Sequence, residues 1–559
     1  MFKLKLVVLA SFTLFIFACN RGTNTGGGNP TPAASPATEQ GAVQGWTAED
    51  RQTFYHTSQG TRIVPYGWLL ALEESGFSRQ PFLTDARAER FNLIPDPDTT
   101  NNPDRLPVGL VKDISTDGEF VSVTCAACHT GQISFNGAKM RIDGGPSMNN
   151  LNGYFKEMFD DIGLTLLNLP KFERFAQKVL GERNSFGERK RLRDEMTRSL
   201  LTTFAKVAQG KLRHLYPTEE GFGRLDALGR GGNLVLANAI GDDRNLAIAN
   251  APVSFPHLWG TPSFDWVQWN GSIQQPMARN IGEALGVNTP VTLRGDPADI
   301  FKSEVKIENL HLLEKTLQKL QPPRWPEAVM GQIDRSKAAT GETLYRQHCA
   351  ACHESTSIPP NEFGVQLLRI NMYSLEEIGT DQNDAVNFNR RVARTGQLGQ
   401  PPVNLPPTMT AAEALQSVSG AVAKRKYDEL QITPEKRNEM DGFRPNLIRA
   451  PLGYRARNMD GIWATAPYLH NNSVPNLYQL LLPADKRDAR FFVGNLAYDP
   501  KAVGFQTGAT PGGFEFRTGI SGNSNSGHEF RDGARGRGVI GPLLTDDERW
   551  AIIEYLKTR

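Results

Sequence analysis

The sequence predicts a mainly α fold in two halves, with long loops and a charged helical insertion, and three observations carry that expectation. The pentad Cys-Ala-Ala-Cys-His occurs twice, at Cys125 to His129 and at Cys349 to His353. The stretch from Ser336 to His348 has few helix breakers apart from Gly341 and runs directly into the second pentad. At the far end, Thr545, Asp546, Asp547 and Glu548 form a capping box, and Trp550, Ile553 and Leu556 follow at helical spacing.

Read from the N-terminus, Lys3 and Lys5 precede an apolar run from Leu6 to Ala18. A basic start and an apolar run too short to span a bilayer comfortably make residues 1–18 an export signal. The run closes on Ile16-Phe17-Ala18-Cys19, which resembles the bacterial lipoprotein box, where the cysteine is acylated and becomes the first mature residue. The alternative is an ordinary signal peptide with an incidental cysteine. The box implies a lipid anchor on Cys19 without a spanning helix, on the periplasmic side of the envelope. Asn20 in place of aspartate implies the outer membrane. From Arg21 to about Gln40 the chain is Gly, Asn, Thr, Pro, Ala and Ser with almost no large apolar residue. Residues 19–45 therefore read as a lipidated flexible tether.

The rest of the 559 residues suffices for two or three domains. Lys+Arg 62 against Asp+Glu 60 leaves a net charge of +2, so charge implies no nucleic-acid partner.

The pentads carry the chemistry. Two thiols separated by two residues can add across the two vinyl groups of one porphyrin, and the adjacent histidine then meets the iron. Cys125, Cys128 and His129 would hold one haem c, and Cys349, Cys352 and His353 a second. A thioredoxin-like pair would not need the histidine, and a zinc site shared by both pairs would leave two identically placed histidines idle. The fold class is thus two cytochrome c-like haem domains, over 46–325 and 326–559, with Pro322, Pro323 and Pro326 marking the join. Helices flanking the second pentad would cross to close its core. Phe155 to Leu215, with Arg189, Lys190, Arg191 and Arg193, reads as a helical insertion with a solvated face, or as a docking patch for an acidic electron partner. Asn495 to Pro542 reads as a long loop, and His528 within it favours function over plain surface.

Nine histidines are present. His348, directly before its pentad, should point away from the iron, and His214 and His311 lie in charged helical contexts. His470 and His528 stand out. The segment Thr465-Ala466-Pro467-Tyr468-Leu469-His470-Asn471-Asn472-Ser473-Val474 resembles the TAPYxHxGS signature of the bacterial di-haem cytochrome c peroxidase superfamily. That superfamily includes the methylamine-utilisation di-haem enzymes and the di-haem rubber oxygenases. Trp269-Asn270-Gly271 resembles its Trp-Asp-Gly, whose tryptophan lies between the two haems. The resemblance runs from about Trp46 to Arg559 and is closest to the rubber-oxygenase-like branch. There, the counterpart of Gly522 to His528 supplies the second axial ligand of the C-terminal haem. Where better-known peroxidases place a ligating methionine, this chain has Ala484. The resemblance therefore implies His528 as sixth ligand, with His470 the alternative, and a bis-His iron of lower potential than a His/Met one.

No distal ligand to the first haem is apparent, which implies an open iron on His129 for peroxide or dioxygen. Gln274, Gln275 and Glu283 are candidates for a distal acid or hydrogen-bond donor, out of register with the peroxidase residues, and plain helix-surface roles compete. Trp269 would relay electrons or a radical. Arg444, Arg449, Arg455 and Arg457 could pair haem propionates, with surface exposure as the alternative. The expected protein is an exported di-haem c-type oxidoreductase, peroxidase-like, with an unidentified electron donor. A dioxygenase cleaving an apolar polymer and a non-enzymatic electron carrier are the rivals. Calcium between the domains is left open.

Overall fold

The computed structural model describes residues 40–75 and 79–559. The export signal, Cys19 and most of the tether lie outside the described residues. Among the described residues helix accounts for 42% and strand for 15%, with no closed sheet. Among the described residues no helix is long and apolar enough to cross a membrane.

The stretch expected to be flexible through residue 45 joins the fold sooner. Gln40 and Gly41 pair in parallel with Met140 and Arg141, and Gln44 donates through Nε2 to the Asp143 carbonyl at 2.7 Å. The strand that receives them, Ala138–Asp143, forms a hairpin with Thr130–Phe135, immediately after the first pentad. A second hairpin, Leu110–Ser115 with Gly118–Val123, leads into that pentad from the other side. Gly109 precedes it at φ +89°, and an added Cβ there would stand 2.2 Å from the Ala127 nitrogen, inside the pentad. Only glycine lets the chain lie this close over the loop.

The helical insertion is real structure. Helix α1 (Leu151–Leu167), α2 (Leu169–Leu180) and α3 (Phe186–Leu212) start from side-chain caps at Asn150, Asn168 and Ser185. They pack their apolar faces onto Trp68, Phe82 and Val121 in a core of their own. Most of the charge on α3 faces outward, with Arg189 bonded to Glu173 at 3.0 Å and Arg193 lying over the Phe172 ring at 4.4 Å.

The second half is organised by two crossing helices, α4 (Arg335–His348) and α5 (Asp546–Leu556). Asp334 caps α4, and the Thr545/Glu548 capping box starts α5. Gly341, the breaker in the pattern, is where the helices touch: a Cβ would meet the Ala551 carbonyl oxygen at 1.9 Å. Ile552, Ile553 and Leu556 are buried in the same contact, and Trp550 stacks on Tyr478 at 4.6 Å.

Pro322 to Pro326 does not hang free as a linker. Trp463 donates to the Pro323 carbonyl at 2.8 Å, and Trp325 packs edge-on to Trp463 at 5.5 Å. One apolar core runs from Trp46 through Trp325 to Leu556, so both halves share it. The long loop after Asn495 is also more ordered than its composition implies, because Phe514–Arg517 pairs with Arg490–Val493.

Candidate functional site

Each pentad folds as one tight turn that holds its cysteines on one side and its histidine at the end. No cysteine in either pentad is disulfide-bonded. Among the described residues no three His, Cys, Asp or Glu side chains converge on one ion, so the two pairs do not close a shared zinc site, and calcium gains no such ligand set.

The two histidines are fixed alike. His129 donates through Nδ1 to the Pro256 carbonyl at 2.8 Å, and His353 through Nδ1 to the Arg457 carbonyl at 2.6 Å. A carbonyl can only accept, so Nδ1 carries the proton and Nε2 keeps its lone pair for a metal. Burial pushes the His129 pKa down to about 4 and lowers that of His353, which keeps both rings neutral.

A cavity of about 500 Å³ opens beside the second pentad, lined by Cys349, Cys352, His353, Trp269, Tyr454, His470 and His528 among others. The rings of His353 and His528 both border it, with centroids 6.1 Å apart and planes inclined at 69°. His353 and His528 are therefore the two imidazoles that would hold an iron at this site. His528 is held in place by backbone. Gly527 lies so close to Ile378 and Gly379 that a Cβ would meet both at 2.3 Å. The His528 N–H donates to the Ile378 carbonyl at 3.0 Å. Arg487 donates to the carbonyls of Gly527 at 2.9 Å and His528 at 2.8 Å. The ring is neutral, its pKa pushed to about 3 by burial.

His470 borders the same cavity but stacks flat on Tyr454 at 4.1 Å and meets Trp269 edge-on at 6.4 Å. His348, expected to point away, also borders the cavity, edge-on to Phe530 at 6.4 Å. Its position as the last residue of α4 places it in the wall. The remaining histidines take other work. His311 pairs with Glu439 at 3.3 Å, His56 with Asp96 at 3.1 Å, and buried His257 stacks on Trp259 at 4.5 Å, while His214 is exposed.

Trp269 is tied toward both pentads. Its indole N–H donates to the Ser254 carbonyl at 2.8 Å. Two residues on, Pro256 accepts from His129, and Phe255 between them packs on the His129 ring at 6.2 Å. On its other side the guanidinium of Arg457 lies 4.7 Å from the indole. The four arginines upstream of His470 divide. Arg444 donates to the Phe264, Gln274 and Pro262 carbonyls, and Arg449 to that of Gly271. Arg444 and Arg455 each keep a buried Nε without a partner, and Arg457 both Nε and Nη2, but of these only Arg455 and Arg457 line the cavity. Unsatisfied buried guanidinium N–H groups beside the cavity are what a propionate carboxylate would complete. Cysteine spacing, an oriented imidazole and these donors together fit a haem c.

Near the first pentad, Arg279 and Glu283 project from the same face of Pro276–Gly286, one turn apart. Glu283 accepts from Gln268 Nε2 at 2.9 Å. Glu283 is exposed, and desolvation raises its pKa against the pull of Arg279. Burial pushes the Cys125 and Cys128 thiols to about 12, with Glu283 the next cause. Gln275 is committed elsewhere, donating to the Arg444 carbonyl at 2.9 Å, and half-buried Gln274 leaves its buried Oε1 without a partner. Arg279, bonded to Glu314, was not singled out from the sequence. Its signal was the i, i+4 spacing to Glu283. Tyr454 and Asp384 were missed as well. Asp384 is 5% exposed, and its pKa is raised to about 8 by burial, then by Asp226 and Asp381.

The two attachment loops differ in cover. Ala126 and Ala127 are 1% and 2% exposed, whereas Ala351, between Cys349 and Cys352, is exposed.

Residues 453–492 match the family model described as RoxA-like, cytochrome c-like. The matched segment holds Arg455, Arg457 and His470. The chain is 38% identical over 565 residues to "Uncharacterized protein y4iJ" of Sinorhizobium fredii (strain NBRC 101917 / NGR234), a match covering 92% of each chain. It is 29% identical over 324 residues to "Uncharacterized protein y4iM" of the same organism, over 54% of this chain and 64% of that one. The protein therefore belongs to the family of y4iJ and contains a RoxA-like, cytochrome c-like segment, a class that implies haem c.

Proposed function

We propose that this protein is an exported di-haem c-type oxidoreductase, peroxidase-like, held at the periplasmic face of the outer membrane by a lipid on Cys19. One observation supports it above the rest: His528 lies opposite His353 at 6.1 Å, while among the described residues no imidazole packs on His129 in that way. The second site is then closed by two imidazoles and relays or stores electrons, and the first keeps a free position. When bound, haem c supplies an iron that exchanges electrons and, at an open position, takes an oxygen of peroxide or dioxygen.

The chain's own residues do the rest. His129 and His353 orient their Nε2 atoms through the carbonyls of Pro256 and Arg457. Arg455 and Arg457 hold carboxylates of the group. Glu283, raised in pKa and donated to by Gln268, can hold a proton near the first site and release it there. Trp269 bridges the two through Ser254 and Arg457. The exposed Ala351 edge gives an outside donor access to the second site, which the buried Ala126 and Ala127 deny at the first.

The RoxA-like match favours a second reading, dioxygen-dependent oxidation of an apolar substrate, over a carrier role. As-isolated ferric protein should show one low-spin and one high-spin iron, with cyanide or carbon monoxide shifting one of them. His129→Ala should abolish turnover and the ligand-sensitive signal together. Two low-spin irons, both blind to cyanide, would leave only the carrier. Peroxide turnover with a reduced donor, against oxygen uptake with polyisoprene latex, separates the two enzymes.

A further inference from the structure

Helix α3 carries two apolar faces, and the fold uses one of them. Leu192, Met196 and Leu200 turn inward onto the insertion core. Leu201, Ala205, Ala208 and Leu212 stand at i, i+4, i+7 and i+11, which makes a second stripe along one face. All four are exposed, Leu201 at 48% and Leu212 at 82%. From Met196 on, the helix itself carries only cations along this stripe, while Asp194 and Glu195 lie one turn before Arg198 and the Asp243 carboxylate pairs with Arg213 at 3.9 Å. Between Met196 and Arg213 the chain has Arg198, Lys206, Lys211 and Arg213, and no Asp or Glu. Helical geometry sets Arg198, Lys206 and Arg213 along one edge of the stripe and Lys211 along the other. Arg213 also donates to the Asp243 carbonyl at 2.8 Å, which fixes the end of the helix.

We propose that this face of α3 docks on an anionic lipid surface, with the Leu/Ala stripe among the headgroups and Arg198, Lys206 and Lys211 against phosphates. A basic helix with a narrow apolar face is the composition that lies in a membrane interface, where buried apolar area and attraction to anionic lipid add. The charge argues against a second copy of this chain, because pairing two such faces sets the cations of one against those of the other. A lipid on Cys19 would set no orientation of the body, so a second contact of this kind would fix which side faces the membrane. The proposal concerns the insertion and stands apart from the iron chemistry.

The test uses full-length, haem-loaded protein carrying Cys19→Ser, so that no acyl chain contributes. Cosedimentation is measured with phosphatidylglycerol/phosphatidylethanolamine vesicles and with phosphatidylcholine vesicles, at low and high salt. The protein should partition onto the anionic vesicles, weakly onto the neutral ones, and less at high salt. Leu201→Glu with Leu212→Glu should lower partitioning about tenfold or more, and Arg198→Glu with Lys206→Glu should do the same. Equal binding to both vesicle types, no binding, or binding untouched by these changes overturns the proposal. So does vesicle-free dimerisation that the Leu201/Leu212 pair abolishes. If that pair loses its colour or helicity, Ala205→Glu with Ala208→Glu is judged by the same criterion.

Discussion

Gly109 roofs the first attachment loop, and replacing it with alanine tests how tightly. A Cβ there would stand 2.2 Å from the Ala127 nitrogen, 2.3 Å from its Cα and 2.6 Å from its Cβ, at φ +89°. Left-handed backbone costs a non-glycine residue about 1–2 kcal/mol. Overpacking against backbone that cannot rotate away adds about 1–3 kcal/mol. The sum is about 2–5 kcal/mol. With an unfolding entropy of about 2.1 cal/mol/K per residue over roughly 520 residues, 1 kcal/mol lowers Tm by about 0.9 °C, so Gly109→Ala should lose about 2–5 °C. Gly137→Ala is the control, because Gly137 sits at φ +81° with nothing within 4 Å of an added Cβ. It should lose only the backbone part, about 1–2 °C. Calorimetry of the haem-loaded proteins gives both shifts, and intact mass gives the number of attached haems, which should fall for Gly109→Ala alone. Equal shifts for the two variants would refute the close approach as the source of the cost.

His528→Ala should turn the second iron from low-spin to high-spin, while His470→Ala leaves it low-spin; the opposite pattern in the ferric spectra would transfer the ligand role to His470. Asp384 gives a pH prediction. Its folded pKa, about 8, lies above the unfolded value of about 3.9. The unfolded chain therefore releases this proton first, and Asp384 costs stability progressively from about pH 4 to about pH 8, by up to about 1.4 kcal/mol per pH unit. Asp384→Asn removes that cost, so its gain in Tm should be larger at pH 8 than at pH 5; equal gains would sink the assignment.

What could be read from the sequence followed from local rules. The helices around the second pentad were legible because capping and apolar spacing act within a few residues. Gly341 looked like a flaw in that pattern until the crossing with Ala551 explained it, and a contact between residues so distant in sequence leaves no periodic trace. His528 was singled out through resemblance, but the Arg487 clamp and the Gly527 contact that hold its backbone are tertiary geometry. His348 borders the cavity through its place at the end of its helix, which adjacency to a pentad did not show. Arg279, Tyr454 and Asp384 matter through burial, which a single sequence does not print. The join at Pro322 to Pro326 has the composition of a hinge, yet Trp325 and Trp463 weld it into the common core.

The cation seated on the indole of Trp269 has an electronic consequence. Positive charge 4.7 Å from the ring steadies the neutral indole but opposes drawing an electron out of it. With an effective dielectric constant of about 20, that opposition is roughly 3.5 kcal/mol. A carboxylate set against the unpartnered Nε and Nη2 of Arg457 would cancel most of it. The ease of oxidising this tryptophan is therefore governed by whichever anion its neighbouring guanidinium holds.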